Sequence, residues 1–290
     1  MLKFNNRVLN YNSRWLNEGS QPGPSVPSYT IRLRYTDDVT PTFTKGTGVQ
    51  VSSSPNIWDL TYNNSDWTSL LAGHTDLLEV IYGNTYGVTN MAGMFTSCTY
   101  LTNVRYINTS TVTDMTELFA GCLRLTNIPT INTESATTMQ GMFYYCMGMT
   151  TIPTLNTSNV TNMNAMFYAS AITNIPMLDT SKVTNMKMMF AASNITNVPL
   201  LNTSLVTDAE AMFYGCSNLH NIPLFNTSSM VNMDGMFSDC YNVESGALAL
   251  YNQASSQTVS GRTHVETFYD CGRDTVTGAS ELAQIGSDWK

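Results

Sequence analysis

A short motif that ends in phenylalanine recurs along most of this chain at an almost fixed spacing. Successive copies are 24, 24, 24, 23, 23 and 24 residues apart, and their phenylalanines are Phe95, Phe119, Phe143, Phe167, Phe190, Phe213 and Phe237. A weaker copy upstream has Leu71 in the phenylalanine position, and one downstream has Phe268 after a 7-residue insertion. Nine units are therefore predicted between about residues 67 and 271. Such a period is typical of a solenoid, in which each unit buries its apolar side against its neighbours.

Each unit follows the pattern V-T-N-M-x-x-M-F-x-x-C-x-x-L-x-x-I-P-x-L-N-T-S. Apolar residues at i, i+3, i+6 and i+7, such as Val160, Met163, Met166 and Phe167, predict one face of a short helix or 3₁₀ turn. The I-P-x-L piece predicts a short strand with proline at its end, because proline cannot donate to a ladder. The N-T-S that follows is typical of a turn.

The composition excludes several classes of protein. Charged residues are only 12% of the chain, about half the share in typical globular proteins. Hydrophobic residues reach 42%, which argues against disorder. A net charge of −8 makes the chain a poor candidate for nucleic-acid binding, which depends on basic side chains. The sequence contains no apolar run of about 18 residues, the length that would indicate a membrane span. The N-terminus has no secretory-signal pattern.

The core M-F-x-x-C-x-x-L-x-x-I-P-x-L and the bridge N-T-S-x-V-T-N-M resemble the BspA-like leucine-rich repeat surface proteins, over roughly residues 67–271. The resemblance implies an α/β solenoid, a right-handed stack of strand-plus-short-helix units. It also implies a family linked to surface attachment and binding, and it does not specify the ligand.

The remaining residues divide into segments around the repeats. Residues 1–16 are predicted to be an anchor segment and residues 17–28 a Pro/Gly/Ser linker. Residues 29–66 alternate like strands and are predicted to be a β-rich N-terminal cap, since a solenoid needs its open end covered. Residues 272–290 are predicted to be a helical C-terminal cap.

The anchor segment is basic in an otherwise acidic chain, which suits docking onto an acidic protein. It contains an internal echo, FNNRVL and YNSRWL, and it resembles short leaders on accessory virion proteins of phages that infect gut bacteria. The frayed end of a chain, or the first strands of the fold, would explain it equally. The anchor candidates are Phe4, Arg7, Tyr11, Arg14 and Trp15.

All cysteines occupy the third position after the phenylalanine: Cys98, Cys122, Cys146, Cys216, Cys240 and Cys271. A buried thiol ladder is the preferred interpretation. Disulfides between neighbouring coils are compatible with a coil spacing of about 4.8 Å. A metal site is disfavoured because His74, His220 and His264 are scattered. We expect no metal and no cofactor.

Two outward columns are candidates for binding. The residue after the phenylalanine is tyrosine in four units, Tyr144, Tyr168, Tyr214 and Tyr269, which suits contact with sugars or protein or simple packing against the turn. A second column becomes apolar toward the C-terminus: Tyr106, Thr130, Thr154, Met177, Leu200 and Leu224. It is either an exposed patch or core covered by the insertion at residues 244–257, and we favour core.

Catalysis has one candidate pair, Glu210 and Asp234, which fall in one column on adjacent coils with Lys187 one coil below. Two carboxylates about 5–9.5 Å apart would suit a glycosidase. A charged, solvated column is the simpler explanation, so we expect no enzyme.

These patterns predict a non-enzymatic phage virion protein, similar to a tail or head fibre. Its N-terminus would dock on other virion proteins, and its repeats would bind a host-surface glycan or protein, with a trimer as one possible assembly. The alternative is a BspA-like adhesin on the bacterial cell surface. The third hypothesis is a glycan-cleaving spike.

Overall fold

A computed structural model describes residues 29–290 and two short strands before them. These are β1 (Lys3–Phe4) and β2 (Arg7–Val8), which pair antiparallel. The anchor candidates Phe4 and Arg7 belong to these strands. Tyr11, Arg14 and Trp15 lie outside the described residues.

A five-stranded sheet covers the N-terminal end of the repeats. Its strands lie in the order β4-β5-β3-β6-β7, antiparallel except for the parallel pair β6 and β7. The bounds are β3 Thr30–Tyr35, β4 Thr47–Ser53, β5 Asn56–Thr61, β6 Leu77–Asn84 and β7 Asn103–Val104. Ile31, Leu33 and Tyr35 point into the core, as their alternation with polar residues requires. The strands β6 and β7 come from the repeat region, so the sheet and the repeats share one core.

Successive repeats stack on one another through parallel backbone bridges. Each bridge joins a residue to its equivalent in the next repeat: Asp66–Asn90, Asn90–Asp114, Asp114–Thr138, Thr138–Asn162, Asn162–Asn185, Asn185–Asp208, Asp208–Asn232 and Asn232–Thr263. The phenylalanine rings form a continuous stack from Phe95 to Phe268, with neighbouring centroids 5.1–6.0 Å apart and every ring buried. The repeat spacing therefore brings equivalent apolar residues into one column.

Of the short helix or 3₁₀ turn predicted in each unit, the described repeats have single i to i+3 turns and no helix. In one coil, Ala165 N–H donates to Lys187 O at 2.8 Å and Phe167 N–H donates to Met189 O at 2.8 Å, both in the next coil. Between them, Met166 N–H closes a turn on Met163 O at 3.2 Å. Ala165 has φ 52°, a left-handed conformation that interrupts a right-handed helix. The segment is a series of tight turns that also carries a ladder to the next coil.

The predicted strand at I-P-x-L forms only in the first two repeats, as β6 and β7. There the backbone continues the ladder, and Arg105 N–H donates to Val80 O at 2.8 Å. The next five repeats have proline at the position of Arg105, which removes this donor. Within the described repeats these segments are not strands, and their prolines are Pro129, Pro153, Pro176, Pro199 and Pro223.

A column of buried threonines binds neighbouring coils together on the inside of the N-T-S turn. Thr157 Oγ1 donates to Asp179 O at 2.8 Å, and Thr133 Oγ1 donates to Asn156 O at 2.8 Å. The same bond to the next coil is made by Thr85, Thr109, Thr180 and Thr203. The turn itself is closed by the Asn or Asp side chain, as where Ser158 N–H donates to Asn156 Oδ1 at 3.1 Å. The motif thus supplies both the turn and a polar link between coils.

Thr157→Val is expected to lower the free energy of unfolding by about 0.5–1.5 kcal/mol, because the isosteric side chain cannot donate the hydrogen bond that the buried Thr157 gives to Asp179 O. Urea unfolding measures the change. The matched control is Thr161→Val on the same coil, whose hydroxyl is exposed and donates to Thr137 O at 3.3 Å. Equal unfolding midpoints for the two variants would contradict a stabilising role for the buried column.

Two helices and a 3₁₀ turn close the C-terminal end. They are α1 (Ala247–Ser255), formed by the insertion, α2 (Val276–Gln284) and the turn Ser287–Trp289. Phe268 N–H donates to Trp289 O at 2.9 Å, and the two rings lie 6.3 Å apart. Trp289 therefore terminates the phenylalanine stack. Among the described helices, none combines the length and apolar character needed to cross a bilayer.

Candidate binding surfaces

The tyrosine column contains one tight aromatic cluster. Tyr144 and Tyr168 each follow a buried phenylalanine, and neither tyrosine is buried itself. Tyr144 and Tyr168 stack face to face on adjacent coils, with centroids 4.9 Å apart and planes 11° apart. Tyr144 is 36% exposed, so the cluster has an accessible edge.

Tyr145 completes this cluster and was not among the predicted residues. Its ring lies 4.8 Å from Tyr144 and 5.8 Å from Tyr168, and it is 41% exposed. Its backbone is left-handed, with φ 55°. The equivalent positions in other repeats hold small or polar residues: Ser97, Gly121, Ala169, Ala192, Gly215, Asp239 and Asp270. A tyrosine where the column otherwise has short side chains is the signal that would have found it.

Tyr214 and Tyr269 belong to the same column but stand apart from the cluster. The coils between them carry Ala191 and Ser238 at the tyrosine position, and both are buried. A hydrogen bond to the Asp239 carboxylate raises the pKa of the Tyr214 phenol. The predicted column is therefore one three-ring cluster, named here the tyrosine cluster (Tyr144, Tyr145 and Tyr168), and two separate exposed tyrosines.

The second column is exposed, and the prediction that the insertion covers it is wrong. Met177 is 64% exposed, Leu200 62% and Leu224 55%, while Tyr106 at the other end is 43% exposed. The helix α1 instead contacts the backbone next to this column, where Gln253 Nε2 donates to Phe225 O at 2.6 Å. The insertion packs beside the column and leaves its side chains in solvent.

The carboxylates of the candidate catalytic pair are engaged separately. Glu210 Oε2 accepts from Lys187 Nζ at 2.7 Å and from Asn232 Nδ2 at 3.0 Å, and these donors hold the pKa of Glu210 below its ordinary value. Asp234 Oδ1 accepts from Val265 N–H at 2.7 Å. A glycosidase needs one carboxyl with a raised pKa to act as the acid. This geometry does not favour that chemistry.

The six cysteine side chains are free and buried in one column. Five thiols point at a carbonyl on the preceding coil, as where Cys146 Sγ donates to Phe119 O at 3.2 Å. Burial raises the pKa of Cys98, Cys146, Cys216 and Cys271 to about 12 and raises that of Cys122 and Cys240 as well. Across residues 29–290, no group of three or more His, Cys, Asp or Glu side chains is arranged to hold a metal.

Comparison with known proteins gives a family and one structural likeness. The family described as "Mycoplasma protein of unknown function, DUF285" matches residues 79–171 and 147–249, which together span 171 of the 290 residues. A crystal structure of a leucine rich cell surface protein from Faecalibacterium prausnitzii A2-165 is similar at 17% identity, covering 68% of this chain and 79% of that one, with a TM-score of 0.24. No curated protein matches.

Proposed function

This chain belongs to the DUF285 family, whose model matches more than half of it, and we propose its function from the surface of the chain because that family is described as of unknown function. The chain is a non-enzymatic recognition protein. Its repeats form a rigid stack that presents the tyrosine cluster to a glycan or protein on another cell's surface. It acts at the bacterial cell surface as an adhesin.

The observation that carries this proposal is the contact of the Tyr145 ring with Tyr144 and Tyr168, at centroid distances of 4.8 and 5.8 Å. Tyr145 has the left-handed backbone of its column, a conformation that costs a residue with a Cβ about 1–2 kcal/mol. Exposed tyrosines offer large contact area and a polar tip at low entropic cost. The same left-handed turn recurs with short side chains at the equivalent positions Ser97, Ala169, Ala192, Asp239 and Asp270, so the coil itself does not require a tyrosine here. This supports recognition better than packing within the coil.

The cell-surface location follows the resemblance of the repeats to BspA-like surface proteins. The virion hypothesis depended on the anchor segment in residues 1–16, most of which lies outside the described residues, and no comparison supports it. The finer architecture, a right-handed leucine-rich-repeat solenoid of nine units, stays part of the proposal. The ladder of bridges from Asp66 to Thr263 supports it.

Binding by the tyrosine cluster is tested with Tyr145→Gly on a printed panel of neutral and acidic glycans and immobilised surface glycoproteins. Glycine relieves the strain, so stability should stay within about 1 kcal/mol of the parent. Loss of a central aromatic contact should weaken binding about 30-fold. Tyr86→Ala, which removes a tyrosine that is 48% exposed elsewhere, is the matched control. Unchanged binding by Tyr145→Gly would refute the role of the cluster.

The location is tested by a density gradient on lysates of producing cells, probed for this chain. Banding with the bacterial envelope supports the adhesin. Banding with phage particles would overturn it in favour of a virion protein, and removal of residues 1–28 should then abolish incorporation into particles.

A further inference from the structure

The outward face of the N-terminal sheet carries arginines on its central strand. In β3, Arg32 and Arg34 alternate with the buried Ile31, Leu33 and Tyr35 and so point away from the core. Arg32 makes a bidentate pair with Asp59 of β5, at 2.7 Å for both bonds. The charge of Arg32 is therefore balanced within the sheet.

Arg34 is not balanced in this way. Across from it in register lies Glu79 of β6, which is only 6% exposed. Both oxygens of Glu79 are taken by Arg105, and Oε1 also accepts from Asn103 Nδ2 at 2.9 Å. Within residues 29–290, no carboxylate pairs with Arg34, and its Nε is buried without a hydrogen-bond partner.

The face is positive in an acidic protein. Among the described residues of this face, Arg32, Arg34 and Arg105 lie with Asp59 and Glu79, so three positive charges meet two negative ones and leave +1, against −8 for the whole chain. The edge strand β4, which pairs with β5, has no charged residue. A buried donor of a charged group is costly unless something accepts from it. An anion bound to the guanidinium of Arg34 would supply such an acceptor.

Aromatic rings lie beside the arginines. Tyr82, in register with Arg32, stacks on Tyr106 with centroids 5.3 Å apart and planes 11° apart. Tyr106 is 43% exposed, and the Arg105 side chain is 55% exposed. A guanidinium matches the two oxygens of a carboxylate, and a tyrosine ring packs against the apolar face of a sugar. The combination suits a sugar that carries a carboxylate.

We propose that this face, built from Arg34, Arg105 and the ring pair Tyr82–Tyr106, binds an acidic glycan through the carboxylates of its uronic acid residues. Arg34 receives the carboxylate, and the exposed ring of Tyr106 packs against the sugar. The site is separate from the tyrosine cluster on the repeats.

The experiment measures binding of the full chain to polygalacturonate, to its methyl ester, and to poly-L-glutamate. Polygalacturonate should bind, and its methyl ester should not, because esterification removes the charge and keeps the rings. Arg34→Gln should weaken binding at least about tenfold, the loss expected for a hydrogen bond to a charged group. Arg124→Gln, which removes an equal charge from an arginine stacked 4.0 Å above Tyr100, should change it little. Tyr106→Ala should weaken polygalacturonate binding as well.

Several outcomes would overturn the proposal. Equal weakening by Arg34→Gln and Arg124→Gln would indicate attraction by charge alone. Binding of poly-L-glutamate as tight as polygalacturonate, without effect of Tyr106→Ala, would assign the face to an acidic peptide. Absence of binding to polygalacturonate would refute the proposal. Arg34→Leu controls for folding, since removing an unpaired buried donor should not lower the unfolding midpoint. Tyr145→Gly should leave polygalacturonate binding unchanged, which separates this site from the proposed adhesin surface.

Discussion

Phe167→Ala is expected to lower the free energy of unfolding by about 3–5 kcal/mol, the range for removing a buried phenylalanine from a packed core. Phe167 lies 5.7 Å from Phe143 and 5.4 Å from Phe190, and it is fully buried. Each coil buries its apolar side only against its neighbours, so a cavity here weakens two interfaces together. Urea unfolding, followed by circular dichroism, measures the loss.

The control for this prediction is Tyr86→Ala, which removes an exposed ring of similar size and should change stability by about 0.5 kcal/mol or less. A loss below about 1.5 kcal/mol for Phe167→Ala would show that the ring stack is not a continuous core. A broad transition in the variant, with the two halves unfolding separately, would support nearest-neighbour coupling between coils.

The cysteines of the native protein are expected to react with a thiol reagent such as DTNB about a thousandfold or more slowly than those of the unfolded chain at pH 8. The thiolate is the reactive form, and burial raises the pKa of four of these thiols to about 12. A pKa raised on folding means that stability is complete below the unfolded value and is lost as pH rises above about 9. The protein should therefore unfold more readily in alkali.

The unfolded chain is the control, because all six thiols should titrate once denaturant exposes them. Fast reaction of any thiol in the native protein would contradict its burial. Fewer than six reactive thiols in denaturant would indicate a disulfide between coils.

The sequence alone was sufficient for the inward half of the structure. The period of 23 to 24 residues places like residues above one another, and Val160, Met163, Met166 and Phe167 are all fully buried. Each coil buries its apolar side chains against the neighbouring coils, so equivalent apolar residues form one buried column.

The sequence pattern did not predict the conformation of the backbone in the same way. The spacing V-x-x-M-x-x-M-F fits a helix, yet Ala165 and Phe167 donate to residues 22 positions ahead. Local propensity does not include a partner that far along the chain, and the ladder between coils decides the conformation instead. A single proline in place of Arg105 then ends the strand on the other side of the coil.

The surface was decided mostly by tertiary structure. The sequence identified Tyr144 and Tyr168 as one column, but only the left-handed turn at Tyr145 brings the third ring to them. Likewise, the alternation in β3 predicts that Arg34 points outward. That Glu79 does not pair with it follows only from the structure, in which Arg105 from the next repeat binds both oxygens of Glu79. The repeat period predicts which positions are buried, because equivalent residues of successive coils are buried together in one column. Contacts between outward side chains depend on distances between coils and strands, which only the folded chain sets.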